Sequence, residues 1–379
     1  MRRFLLFLSF LFFLYASWTV FEKLSAKTEN QSVLETITSE FQNVSESADF
    51  RDIKETVSGG IEYLVTLLQS LSKQNPQNQN NDLDIVKKPE LVAPSEQAFS
   101  IHNIELGDTK TVVEKLVGSP KRVSLNEYGT NWYAYHENYH NFIMVAYNSD
   151  DQVVGLYTNQ DLLTSTKSIA RGSSKQDVLA ELGEPITKIQ KGFVYYQFQK
   201  DRDYDVFHLD NSYITIFYDK HQDNTVTSIQ IISEALENNR QDFYTESSEQ
   251  LIEGFEYQLF DLTNATRVNH GLNILSWDDH VKETAREHSL DMAQNNYFSH
   301  TNQHGQSPFD RMLEDEIVFT VAGENLAYGQ FSSIFAHEGL MNSMGHRENI
   351  LKEEFRYLGV GVAFNSESHP YYTENFYSK

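Results

Sequence analysis

Apolar residues recur at every second position in two stretches, at Ile143, Val145 and Tyr147 and again at Ile214, Ile216 and Tyr218. A period of two is what half-buried antiparallel strands require. A polar insert follows each, DDQ in the first and HQDNT in the second, and predicts a hairpin turn. Upstream of each lies a helix-compatible run, TKTVVEKLVGSP or SKQDVLAELGEP. Gly and a nearby Pro end both runs, because Gly accepts positive φ and Pro cannot continue a helix. Gly107, Gly118 and Pro120 recur as Gly172, Gly183 and Pro185, 65 positions later. The stretch 99–232 is therefore expected to fold as two similar helix-plus-sheet units packed as a pseudo-dimer.

The pattern changes on either side of this repeat. Arg2 and Arg3 precede Phe4 to Phe21, a run without a charged residue. As a helix rising about 1.5 Å per residue it reaches roughly 27 Å, close to a bilayer core of about 30 Å. Residues 1–26 are read as a membrane anchor with the arginines inside and the remainder outside. A cleaved signal peptide is the alternative, with Leu24-Ser25-Ala26 a poor cleavage site. Residues 27–98 read as a partly helical stalk that passes into a flexible linker from Gln74 to Ser95, where QNPQNQNND and KKPELVAP are too polar and proline-broken to pack. A second linker is expected over 233–254, ahead of a last domain at 255–379.

In that last domain Leu259, Leu262, Ala265, Thr266 and Val268 form a helical stripe that Gly271 ends. A second helix starts at Ser276 or Asp278, either of which can cap exposed amides, and buries Val281, Ala285, Ser289 and Met292. His288 falls on the same stripe and reads as a hydrogen-bonded core residue.

Composition narrows the chemistry. The 379 residues carry a formal charge of −24, which argues against nucleic acid as a partner. There is no cysteine, so disulfides, thiolate catalysis and Cys-ligated zinc are excluded. The 25 Phe and 21 Tyr supply ample material for cores, and the repeat's tyrosines read as cross-strand pairs before they read as a binding face.

Candidate chemistry concentrates between Tyr297 and Leu351. His300, Glu324 and His346 sit in three separated segments among small or turn-forming neighbours, SHTNQHG, AGENLAYG and NSMGHRENIL, which suggests one shared cleft. Gly323 and Asn325 are expected to turn the backbone sharply around Glu324. His304 reads as surface. No GxSxG elbow surrounds Ser343, so a serine nucleophile is not expected. Arg347 is expected to pair with a local carboxylate.

Eight segments in order, ATRVNHGLNILSW, VKETAREHSLDMAQNN, FSH, SPFDRM, AGENLAYG, NSMGHRENIL, YLGVGVAF and YYTENF, resemble the CAP superfamily of cysteine-rich secretory, antigen 5 and pathogenesis-related proteins in its compact bacterial form. The repeat ahead of it resembles the CAP-associated N-terminal domain. The resemblance implies an α+β chain, a C-terminal three-layer α-β-α CAP sandwich preceded by the repeated helix-plus-antiparallel-sheet domain. It also implies a ligand cleft at His300, Glu324, His346 and Tyr372, the last as an aromatic wall, with His300 and His346 as donors to zinc and Glu324 as a supporting or catalytic carboxylate. A second glutamate common in the family is absent, since Leu340 and Ser343 stand in its region and Glu338 is displaced.

The resulting expectation is an extracytoplasmic, membrane-tethered protein whose cleft binds an envelope lipid or cell-wall component, with a divalent metal as an accessory. A metal-dependent hydrolase or peptidase is one alternative. A scaffold with a vestigial cleft, recruiting a protein partner through the repeat domain, is another. Fold alone does not choose among them.

Overall fold

The computed structural model describes residues 86–191, 193–240 and 242–379. The expected anchor or signal peptide, 1–26, and most of the stalk lie outside the described residues. The first repeat unit runs β1 (Phe99–Ile101), α1 (Lys110–Val117), β2 (Arg122–Leu125), β3 (Asn131–Glu137), β4 (His140–Tyr147), β5 (Val153–Thr158) and β6 (Leu163–Ser165). The second runs α2 (Lys175–Leu182), β7 (Lys188–Lys191), β8 (Val194–Gln197), β9 (Tyr204–Leu209), β10 (Ser212–Asp219) and β11 (Thr225–Ser233).

The repeat read from glycine and proline spacing is a structural one. Gly118 and Gly183 both end their helices at φ 78°. The Gly107 amide donates to the Val153 carbonyl and the Gly172 amide to the Val226 carbonyl, both at 2.8 Å. One seven-stranded sheet, ordered β2-β3-β4-β5-β11-β10-β9, holds both units, with β5 and β11 antiparallel at its centre. The β7–β8 hairpin belongs only to the second unit, and its tip leaves Phe193 fully exposed.

The strands are not half-buried as expected; both faces of this sheet are covered. Ile143, Val145, Ile214, Ile216 and Tyr218 pack with Val113 of α1 and Val178 of α2. Phe142, Met144, Ala146, Phe217 and Ile232, on the other face, share a second core with Phe255, Leu259 and Leu262. Those three belong to the C-terminal region, so the alternation read from sequence separates two cores rather than core from water.

The expected linker at 233–254 is corrected, and so is the described end, 86–95, of the one expected from Gln74 to Ser95. Within 233–254, α3 (Glu234–Asn239) forms behind Ser233, and α4 (Glu249–Asn269) already begins behind the cap of Ser248, whose hydroxyl accepts from the Leu251 amide. Residues 86–95 lie on the repeat. The Val92 amide donates to Asn103 Oδ1 at 2.9 Å, and Ser95 and Gln97 amides donate to the Glu105 carboxylate at 2.8 Å.

The chain then continues through β12 (Ser276–Trp277), α5 (Asp279–Asn295), α6 (Pro308–Glu314), β13 (Val321–Tyr328), α7 (Ser333–Met341), α8 (Met344–Ile350), β14 (Tyr357–Phe364) and β15 (Pro370–Ser378). The sheet order is β12-β14-β15-β13, which leaves β13 at an edge. Leu358, Val360, Val362, Tyr372 and Phe376 face α4, α7 and α8. Ala363, Tyr371 and Tyr377 face α5 and α6. The α+β class and the three-layer α-β-α sandwich stand as expected. A Cβ at Gly361 would lie 2.0 Å from the Arg286 amide nitrogen, so α5 rests directly on β14.

The two sheets are joined by polar contacts as well as by the shared core. Arg122 pairs with the buried Asp261 of α4 at 2.9 Å, and the Tyr139 hydroxyl donates to the same carboxylate at 2.9 Å. Arg347 pairs with Asp219 of β10 at 2.9 Å, a distant partner rather than the local one expected. The hydroxyls of Tyr157 and Ser228 both donate to Glu338 Oε1, at 2.7 and 2.6 Å.

Burial pushes the Glu338 carboxyl up to about 7 despite these two donors. A raised carboxyl favours the fold in its neutral form, an advantage present below the unfolded value of 4.5 and lost as pH rises through about 7. Gln at 338 keeps an acceptor for both hydroxyls and does not ionise. From about pH 5 to about pH 8, thermal unfolding of the parent is therefore expected to lose ground steadily to that of Glu338→Gln. A constant offset between the two would place the ionisation elsewhere.

Candidate functional site

The capping box of α6 is where the site's geometry starts. The Ser307 hydroxyl accepts from the Asp310 amide, the Asp310 carboxylate accepts from the Ser307 amide, and Pro308 occupies the first turn. This sets Arg311, one turn later, over the edge strand. One Arg311 nitrogen donates to Glu324 Oε2 at 2.6 Å, while another reaches the carbonyls of His300 and Gln306 at 2.9 and 3.2 Å. The guanidinium thus fixes both the carboxylate and the loop that carries the histidine.

Glu324 lies in the middle of β13, not in the sharp turn expected from its neighbours. Its Oε1 accepts from His300 Nδ1 at 2.9 Å, which leaves the other ring nitrogen to face outward. The carboxylate side chain is 1% exposed and the imidazole 51%. A buried anion therefore orients an accessible imidazole, an arrangement suited to hydrogen-bonding or proton exchange with a ligand. His288 on α5 helps shape the approach by bonding the Ser299 carbonyl through Nε2 at 3.0 Å, and burial lowers its pKa.

Gly323 matters through its missing side chain rather than through its φ. A Cβ there would meet Phe355 at 2.9 Å and Asn349 Oδ1 at 3.0 Å. That close approach lets α8 clasp the opposite face of β13. Asn349 Nδ2 donates to the Glu324 carbonyl at 3.1 Å and to Asn325 Oδ1 at 2.9 Å. Asn325 Nδ2 donates in turn to the His346 carbonyl at 3.1 Å. His346 is partly buried, and both burial and the nearby His300 lower its pKa.

Phe298, two residues before His300, and Tyr328 are each substantially exposed with ring centroids 6.0 Å apart. Tyr328 lies four residues along β13 from Glu324 and so on the same face. A concavity of about 330 Å³ opens next to this array, bounded by His288, Asn302, the exposed His304 and Arg311.

Tyr372 does not line the cleft. It is fully buried, stacks 6.1 Å from Phe255 and donates its hydroxyl to the Gln330 carbonyl, because its position on β15 faces α4. Glu338 likewise points to the repeat domain. The sequence does not single out Arg311 or Asn349, and Asn325, expected as a turn former, is instead a buried hydrogen-bonding residue of β13. Arg311 stood within the SPFDRM segment with a legible capping box ahead of it, and Asn349 sits three residues after His346, on a neighbouring helical face.

The zinc that the family resemblance implies was matched against these donors. His300 keeps its outward ring nitrogen free, but the Glu324 carboxylate is already paired with the Arg311 guanidinium. Among the described residues, no group of three or more His, Asp or Glu is arranged to hold an ion. The residues do not form a three-donor zinc site.

Residues 260–376 match the model of the cysteine-rich secretory protein family, CAP, and residues 106–243 match that of the CAP-associated N-terminal region. The chain is 28% identical over 288 residues to the uncharacterized membrane protein YlbC of Bacillus subtilis, covering 72% of this chain and 82% of that one. It is 38% identical over 135 residues to YkwD of the same organism, covering 36% of this chain and 51% of that one. Among solved structures, an extracellular protein containing an SCP domain from Bacillus anthracis superposes with TM-score 0.64 at 27% identity, covering 78% of this chain and 100% of the other. A cysteine-rich secretory protein from Staphylococcus aureus superposes with TM-score 0.58 at 15% identity over 76% of this chain and 100% of its own, a likeness of fold alone.

Calorimetric titration with zinc is expected to reveal no stoichiometric site of micromolar or tighter affinity. Such a site, abolished in a His300→Ala, His346→Ala double variant, would contradict the donor assignment.

Proposed function

Because this chain joins a CAP-associated N-terminal domain to a CAP domain, we propose that it works at the outer face of a membrane, where the cleft along β13 binds a lipid or other envelope component. The observation that carries the reading is the His300–Glu324–Arg311 array: a buried, doubly held carboxylate presenting one accessible imidazole beside exposed aromatic rings. Such a surface combines apolar contact from Phe298 and Tyr328 with one oriented polar group, the composition typical of ligand sites. The apolar N-terminal run supports a tether, and similarity to a relative named as a membrane protein supports the same location.

Binding is favoured over metal-dependent hydrolysis by the state of Glu324. A carboxylate already bound to the Arg311 guanidinium on one oxygen and orienting His300 with the other is placed to hold the imidazole rather than to take a proton from a metal-bound water. The cleft therefore acts by holding its ligand, with the imidazole as its polar contact.

Saturable binding of the protein to phosphatidylglycerol–cardiolipin vesicles or to purified cell-wall glycan is expected, and it should weaken about tenfold or more in His300→Ala and in Phe298→Ser. Negligible binding, or binding unchanged by both substitutions, would overturn the proposal. Chelator-sensitive hydrolysis abolished by Glu324→Gln would replace it with the hydrolase reading, and full cellular function of every cleft variant would replace it with the scaffold.

A further inference from the structure

Away from the His300 cleft, the contact between the repeat domain and the C-terminal sandwich is not closed. A cavity of about 190 Å³ lies between the repeat's Asn159 and Arg171 on one side and Thr266 of α4 with His337 and Glu338 of α7 on the other. Neither domain forms it alone.

Its walls hold buried polar groups that the protein leaves without partners. His337 is 1% exposed; its Nε2 lies 2.7 Å from the Thr266 hydroxyl, and its Nδ1 has no partner. Burial lowers its pKa to about 3, so the imidazole is neutral. Asn159 is 4% exposed; its Nδ2 donates to the same hydroxyl at 3.0 Å, and its Oδ1 has no partner. Unmatched buried donors and acceptors are costly, and a polar cavity that collects them is suited to a ligand able to complete them.

The charges define that ligand. Glu338 receives both of its hydroxyl donors, Tyr157 and Ser228, on a single oxygen, Oε1. Arg171 acts on the Glu338 charge without bonding to it, and donates through Nε to the Thr227 carbonyl at 3.3 Å from the exposed rim. Asp219 and Asp161, also on the wall, are held by Arg347 and Lys88 respectively. A carboxyl and a guanidinium thus face one polar space without closing on each other. The lining includes no Trp, Tyr or Phe, so there is no platform for a sugar ring.

We propose that this interdomain cavity binds a small zwitterion of the free amino acid class, with its ammonium group toward Glu338 and Asn159 Oδ1 and its carboxylate toward Arg171. The site stands independently of the β13 cleft. It also gives the repeat domain a chemical role, since two of the three contacts, Asn159 and Arg171, come from it and Glu338 comes from the sandwich.

Glycine, L-alanine and L-serine in the millimolar range, with glucose and acetate as controls, would be titrated into the full-length chain. Thermal unfolding and calorimetry would follow binding in the parent and in Arg171→Ala, Glu338→Gln and His300→Ala. At least one amino acid is expected to raise the unfolding temperature saturably, with affinity reduced about tenfold in Arg171→Ala and in Glu338→Gln and unchanged in His300→Ala. Arg171 is exposed, so its variant decides the matter even where a change at 338 disturbs folding. No saturable effect of any amino acid, equal effects of glucose or acetate, or binding indifferent to Arg171→Ala would overturn the site. Loss of binding in His300→Ala would also overturn it, by moving the ligand to the other cleft.

Discussion

Helix α4 is a wall common to both halves of the molecule, and everything else is arranged around its burial. A helix with one apolar stripe needs one partner, whereas a helix buried around nearly its whole circumference must be enclosed. Its apolar residues Phe255, Leu259 and Leu262 reach cores on both sides, and most of its buried polar groups are matched, Gln258 Oε1 and one Arg267 nitrogen excepted. Glu256 is clamped by Arg286 at 2.7 Å on both oxygens, Asp261 by Arg122 and Tyr139, and Asn264 by the Leu275 backbone. Arg267, fully buried, donates through Nε and Nη1 to the carbonyls of Asn273, Ile350 and Lys352, and burial lowers its pKa to about 10. At Gly254 a Cβ would fall 2.2 Å from the Leu125 carbonyl, so the helix lies against the repeat's backbone itself.

The consequence reaches the cleft through one line of buried hydrogen bonds. The Thr263 hydroxyl of α4 donates to Glu374 at 2.8 Å, Glu374 accepts from Asn325 at 3.1 Å, and Asn325 holds the carbonyl of His346. Burial pushes Glu374 up to about 7. On the other face of β13, Arg311 holds Glu324 and the His300 loop. The cleft is therefore supported from two layers: α4 fixes the segment with His346, and the capped α6 fixes the segment with His300. The exposed imidazole of His300 thus rests on a buried carboxylate that a guanidinium holds in place.

Much of this was legible in the residues. Gly118 and Gly183 with their following prolines announced two helix stops, and the repeat they marked is present as one continuous sheet. His300 and Glu324, far apart in the chain, were expected together and do meet. What was not legible depends on what covers a surface. A period of two tells which side chains share a face but not whether the second face meets water; the face of Phe142 and Met144, opposite Ile143 and Val145, is core. Tyr372 fits an aromatic wall by its type; only its register on β15 turns it inward. Glu324 illustrates the same limit, because Gly323 suggests a turn and instead supplies clearance for Asn349. The partner of Arg347 could not be found by local spacing, since Asp219 lies in the other domain.

The claim beneath all of this is that the repeat domain and the C-terminal sandwich share one core and fold as one unit. Scanning calorimetry of residues 85–379, with unfolding also followed by circular dichroism and by tryptophan fluorescence, tests it directly. Trp132 reports on the repeat domain and Trp277 on the sandwich, so single-tryptophan variants let each half be observed separately. A single transition, coincident for both tryptophans and with equal calorimetric and van't Hoff enthalpies, is the expected result. Two transitions that separate Trp132 from Trp277 would contradict it.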